Sequence, residues 1–204
     1  MESSQLNETY STKVIQIPDL QGRKATVFTS NLVQAVYFYK RYQEGNTFEL
    51  TTSSDIFIKI PGLSLAVSHT QPMVYELHFQ GVCELLRVYH WAYIHFLIDG
   101  KVLISNYLLP NNENRGAAHP DLGSNAQEID YRGGAALYTG YNQHIGVQCQ
   151  ISDVIKLDGG VHTIDVGARL AGERFQMHGG ELSVKMTLYN SDTNFNLPYP
   201  TIPK

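Results

Sequence analysis

RVYHWAYIHFLIDGKVL (residues 87–103) reads as one long β-strand closed by a tight turn. Alternate residues of a strand face opposite ways. One face is Val88, His90, Ala92, Ile94, Phe96 and Ile98, which suits a sheet core; the other is Arg87, Tyr89, Trp91, Tyr93, His95 and Leu97. An antiparallel strand with one buried face should turn polar residues to water on its second. Here the second face carries aromatics, so something must cover Tyr89, Trp91 and Tyr93. The Asp99-Gly100 pair, flanked by alternating apolar residues, is the best hairpin signal in the chain.

The same alternation continues on both sides. Ile56–Ile60, Leu63–His69 and Met73–Gln80 precede the quoted strand, and His144–Ile155, Val161–Leu170, Arg174–His178 and Glu181–Tyr189 follow it. Turns are expected at Asp158-Gly159-Gly160, at Gly172 and at Gly179-Gly180. Lys24–Thr29 adds a candidate first strand. Asn31–Gln43 is either a strand exposing Tyr37, Tyr39 and Tyr42 or a helix capped by Ser30 or Asn31, and the extended form is favoured. Helix signals are otherwise scarce, so the pattern predicts an all-β sandwich or barrel. Residues 106–142 interrupt it and read as a long irregular loop of the kind that carries function. The expected organisation is an N-terminal arm over 1–50, a β-domain over 51–190 and a Pro-rich tail over 191–204. Such a tail cannot enter a central strand and is expected to wrap across a surface or a neighbouring subunit.

Composition narrows the classes. A chain of 204 residues can bury a full core in one domain. Only 17% of residues are charged, below the usual quarter, so part of the surface is expected to be covered in the working state. A net charge of −4 argues against nucleic-acid and anionic-membrane partners, which need clustered Lys and Arg. No apolar run approaches the roughly 18 residues of a spanning helix. The opening MESSQLNETYSTK shows no apolar core of a signal peptide, and the compartment stays open. Two cysteines make no framework, and Cys149 falls on the apolar phase of its segment. Free buried thiols are therefore expected in preference to a Cys83–Cys149 disulfide.

Three stretches taken together, IKIPGLSLAVSH (58–69), YELHFQG (75–81) with HFLIDGKVL (95–103), and GGVHTIDVGARLAGERFQMHGGELSVKMTL (159–188), resemble the jelly roll of the TNF-like and complement-globular-head superfamily. The resemblance spans about residues 56–189. It implies a two-sheet antiparallel jelly-roll sandwich, with an N-terminal extension and a Pro-rich C-terminal tail. It also implies a compact homotrimer with an aromatic-lined interface, and Tyr89, Trp91, Tyr93 and His95 would then lie against the next subunit. The alternative is that the second sheet of the sandwich covers that face within one chain.

Signals for chemistry are sparse. His90 and His95 point to opposite faces of one strand, and no His-x-His occurs. Distant His119, Asp121 and His144 are weighed as metal ligands against solvated loop histidines, and the latter are favoured. Glu113, Asp121, Glu128 and Asp130 share one segment and include candidate carboxylate pairs for glycoside cleavage, though acid-rich loops are more often merely soluble. No nucleophile elbow or phosphate loop is present, so no catalytic residue, metal or cofactor is expected. Tyr131, Arg132, Tyr138, Tyr141 and Asn142 combine aromatic surfaces with side chains that match sugar hydroxyls, and are the candidate ligand contacts. The competing reading is that these tyrosines only pack the loop onto the barrel. The function expected is a non-enzymatic homotrimeric recognition or attachment module, lectin-like or otherwise receptor-binding, whose partner is a cell-surface glycan or protein. The alternative is a structural or decoration protein of a virion, appendage or lattice, locked to neighbouring subunits by its terminal arms.

Overall fold

The structure is a computed structural model and describes residues 14–16, 33–86, 90–140, 144–190 and 197–202. The first half of the chain gives β1 (Val14–Gln16), β2 (Val33–Tyr42), β3 (Phe48–Leu50), β4 (Ile58–His69), β5 (Met73–Leu86) and β6 (Trp91–Ile98). A middle segment holds β7 (Lys101–Ile104), β8 (Tyr107–Leu109), α1 (Arg115–Ala118), α2 (Ala126–Asp130) and β9 (Ala135–Tyr138). Three long strands close it: β10 (His144–Leu157), β11 (Gly160–Ala171) and β12 (Phe175–Tyr189).

Two sheets face each other. One runs β1-β4-β11-β6-β7-β8 with β9 also on β6, and the other runs β10-β5-β12-β2 with β3 on β12. Setting aside β1, β3, β7 and β8 leaves β4-β11-β6-β9 against β2-β12-β5-β10, four strands in each sheet. All of these pairs are antiparallel, and the chain passes repeatedly between the sheets. Eight strands in this order form a jelly roll, the class expected from the sequence.

Period-two alternation builds the core. Leu63, Leu65 and Val67 of β4, Tyr75, Leu77 and Phe79 of β5, and Ala92, Ile94, Phe96 and Ile98 of β6 are buried between the sheets. Ile164 and Val166 of β11 and Leu182, Val184 and Met186 of β12 meet them from neighbouring strands. Each large apolar side chain buried this way contributes about 2 kcal/mol.

Four expectations change. Residues 33–42 are extended, as favoured, but β2 pairs with β12 from Tyr42↔Glu181 to Val33↔Tyr189 and so belongs to the sandwich instead of a loose arm. Arg174–His178 and Glu181–Tyr189 are not two strands about a turn. They form one strand along β5, with Gly179-Gly180 at a bulge, and Gly179 takes φ +60°, a left-handed value that suits glycine. Cys83 and Cys149 are joined in a disulfide. Both point into the core from neighbouring strands, Cys83 opposite Val147 and Cys149 opposite Gly81, with a Cα–Cα distance of 5.8 Å. The 106–142 segment is built of β8, α1, α2 and β9 within its described residues and is no irregular loop. Of the two places expected for the tail, a surface or a neighbouring subunit, its described residues 197–202 take the chain's own surface. Thr201 donates its N–H to the Asn106 carbonyl (3.0 Å) and accepts from the Leu108 N–H (2.8 Å), extending the edge at β8.

Candidate functional site

The second face of β6 is covered by the chain itself. Tyr93 and Leu97 join Phe57, Val102, Ile104, Leu109, Leu122 and Ile129 in a separate core beneath the 105–134 segment. Tyr93 and His95 are fully buried there and have no surface to offer another subunit, which corrects their assignment to an oligomer interface. The cover is neither a partner nor the second sheet. It is an insertion between β7 and β9, and of the described interface candidates only Trp91 remains partly exposed. Tyr89 lies outside the described residues.

A buried ion cluster fixes this insertion. Asp130, at the end of α2, receives Arg115 Nε at 2.8 Å and Nη2 at 2.6 Å on its two oxygens, and Arg169 Nε on Oδ2. All three side chains are removed from water. Arg115 also donates Nη1 to the Asn112 carbonyl (2.8 Å) and to the Asp55 carbonyl. Arg169 reaches Asp55 Oδ1 (3.3 Å) and lies 4.2 Å above the Tyr93 ring. Asp130 was a candidate for acid chemistry; here it serves as an electrostatic post. His95 stands beside it, with Nδ1 3.1 Å from the Leu103 carbonyl and Nε2 3.0 Å from the Asp130 carbonyl. Burial lowers the His95 pKa, and in the neutral ring that this favours only one of the two nitrogens can donate.

His95 also explains a glycine. A Cβ on Gly134 would stand 2.4 Å from His95 Nε2 and 2.5 Å from the Ile94 carbonyl. Gly134→Ala is expected to push β9 off β6 and to cost about 1–3 kcal/mol, as overpacking does; denaturant unfolding measures it.

Above this base sits an aromatic corner. Trp91 and Tyr138 are directly opposite in the β6–β9 ladder, with ring centroids 4.4 Å apart at 34°. Tyr131, which follows α2, stands edge-on to Trp91 (5.1 Å, 87°) and to Tyr93 (5.5 Å, 76°). Such pairs add about 0.5–1.5 kcal/mol each beyond their burial and hold the rings in place. Tyr131 and Tyr138 are each 43% exposed. Arg132, next along the chain, is exposed, and among the described arginines its guanidinium alone makes no hydrogen bond or ion pair. On the β9–β10 side of Tyr138 lies a groove of about 500 Å³ lined by Ala136, Val147, Gln148 and Gln150. Two of the five candidate ligand residues, Tyr131 and Tyr138, are thus brought to one corner, and Arg132 adjoins it in sequence. Tyr141 and Asn142 lie outside the described residues.

Other candidates disperse. His119 packs on the Tyr107 ring at 4.1 Å, and Glu128 caps α2 by accepting from the Ser124 N–H at 2.7 Å. No three His, Cys, Asp or Glu side chains among the described residues are grouped to hold a metal ion.

The strand order defines a jelly roll, and this corner lies where β6 begins beside β9. No protein-family model matches the chain, and no curated protein matches it either. Among solved structures, a TNF (Eiger, from S. frugiperda) aligns at 9% identity and TM-score 0.38, over 79% of this chain and 99% of that one. A structure of infectious bursal disease virus, Gx strain, aligns at 9% identity and TM-score 0.38, over 89% of this chain and 40% of that chain. At these scores the matches add nothing to the topology already read from the strand pairing.

Proposed function

We propose that this chain is a non-enzymatic recognition module, and that the corner of Trp91, Tyr131 and Tyr138 binds a surface glycan bearing a carboxylate or sulfate. The observation that carries this is the exposure of packed aromatic rings, with an exposed arginine, Arg132, directly following Tyr131. Apolar sugar faces stack on such rings, and Arg matches an anionic oxygen pair with two parallel hydrogen bonds. The adjoining groove falls in the range of ligand pockets, roughly 300–1,000 Å³, and gives a second sugar somewhere to lie.

Titration calorimetry with an acidic oligosaccharide and its carboxyl-reduced counterpart tests the proposal. Tyr138→Ala is expected to weaken both about tenfold, the loss of roughly 1.4 kcal/mol of stacking. Arg132→Ala should weaken the acidic ligand alone by a similar factor. Binding that is absent, or that survives both substitutions, overturns the reading.

A second reading has its own observation. The outer face of β2 exposes Phe38 (72%) and Tyr42 (62%) with Val36 beside them, on an edge strand of its sheet among the described strands. Large exposed apolar residues on an edge favour assembly into a homotrimer or a larger lattice. Light scattering should find an oligomer that Phe38→Ser dissociates; a wild-type monomer rejects this reading and leaves the first intact.

A further inference from the structure

Trp91 opens β6 and Asp99 follows its end, about 25 Å away at strand rise. At that far end three turns meet: 70–72, which crosses between the sheets from β4 to β5, the β6–β7 hairpin turn Asp99-Gly100, and Asp158-Gly159, which crosses back from β10 to β11. Of these, 70–72 and 158–159 are in close contact, since a Cβ on Gly159 would stand 2.4 Å from the Thr70 carbonyl. Two histidines tie them together.

His162 places Nδ1 2.9 Å from Asp99 Oδ2 and Nε2 3.0 Å from the Asp158 carbonyl. A carboxylate and a carbonyl only accept, so both ring nitrogens must carry hydrogen for both bonds to form. His69 is set up the opposite way. Its Nδ1 lies 2.7 Å from the Gln71 carbonyl and its Nε2 2.6 Å from the Tyr75 hydroxyl. The carbonyl fixes the hydrogen on Nδ1, and the Tyr75 O–H donates to Nε2. The two imidazole rings are 5.5 Å apart.

We propose that His69 and His162 form a one-proton latch, which pins the three turns while the pair carries a single charge and releases this end of the sandwich when a second proton binds. A proton on His69 Nε2 would take the acceptor from the buried Tyr75 hydroxyl and set two cationic rings with centroids 5.5 Å apart. The other charged or titratable neighbours are Asp99, with Lys101 beside it on β7, Asp158, and Tyr39 of β2 near Tyr75. Asp99 binds the turn twice more, donating its N–H to the Thr163 carbonyl (2.9 Å) and accepting the Thr163 N–H on Oδ1 (2.8 Å).

Charge balance agrees with the geometry. The Asp99 hydrogen bond raises the His162 pKa, and burial, helped by the His162 charge, lowers that of His69. Burial alone would push the Asp99 carboxyl up, but the His162 and Thr163 hydrogen bonds outweigh it and hold it low. The His162 contribution is complete below the ordinary histidine value, about 6.5, and is lost as pH rises through its raised value. The His69 contribution is complete above about 6.5 and is lost as pH falls through its lowered value. The latch is therefore closed in a window around that value and opens on the acid side by protonation of His69.

Imidazole NMR of the wild-type protein between pH 4 and 9 tests this, with amide exchange followed alongside. Two transitions are expected, one displaced upward (His162) and one downward (His69), the behaviour of a coupled pair. As His69 protonates, the Thr163 amide should exchange on the order of tenfold faster than its intrinsic rate change accounts for, while Val166 and Ala168 stay protected. His162→Gln should move the His69 transition back up. Two coincident, undisplaced transitions in the wild type overturn the latch, as does a His69 transition that ignores His162→Gln.

Discussion

Asp130→Ala should lower the melting temperature by about 10 °C or more, the consequence of a loss near 3–5 kcal/mol in a chain of this size. The reasoning starts from burial. Arg115 and Arg169 have no water around them, and Asp130 is the buried carboxylate that meets both. Asp55 also faces Arg169, but it is half exposed and 3.3 Å away. Removing Asp130 leaves guanidinium charge in the interior, and an uncompensated buried charge costs far more than the ion pair contributed. Replacing all three together, with Arg115→Met, Asp130→Leu and Arg169→Met, removes the charges in step and should recover most of the lost stability. Asp130 directly precedes Tyr131, so the single variant should also abolish binding at the aromatic corner while the jelly roll keeps its β-sheet spectrum. A drop of less than about 2 °C would show that the cluster is not a post for the insertion.

How far the sequence reveals this structure depends on the range of each interaction. Strand alternation is local, so Ala92, Ile94, Phe96 and Ile98 can be placed in the sandwich core without any partner in view. The same alternation shows that Tyr93 and His95 need a cover but cannot say which. Their cover comes from residues such as Leu122 and Ile129, some 30 positions along the chain. Asp130 and Arg115 read as solvated charges because their pairing exists only after α1 and α2 pack. One local signal in that segment was readable. Ser124-Asn125-Ala126-Gln127-Glu128 is a helix start, with the Asn125 side chain accepting the Glu128 N–H (3.0 Å) and Glu128 reaching back to Ser124. For the candidate site, the residue types at 131 and 138 suggest ligand contacts, and packing on Trp91 brings those two rings together. Trp91 was assigned elsewhere, because its place beside Tyr138 follows from the β6–β9 register, which no short motif encodes.

The disulfide carries the other large effect. Reducing Cys83–Cys149, or replacing both residues with Ala, should cost about 3–4 kcal/mol, because the bridge closes a loop across a sequence separation of 66. The loss should fall unevenly. Among the described strands β10 is an edge that pairs along β5, from Leu157↔Met73 to His144↔Leu86. Opening the unfolded chain at this link weakens the attachment of that edge more than that of the central pair β5–β12. Amide exchange in β10 should therefore accelerate first on reduction, and protein made under reducing conditions should melt lower than oxidised protein by about 10 °C. Thiol titration in denaturant settles the premise: no reactive thiol is expected before reduction and two after it. Two free thiols in the unreduced protein would restore the reading of Cys149 as a buried apolar residue. The stability of β10 would then rest on its hydrogen-bond ladder and on Ile151, Ile155 and Leu157 in the core.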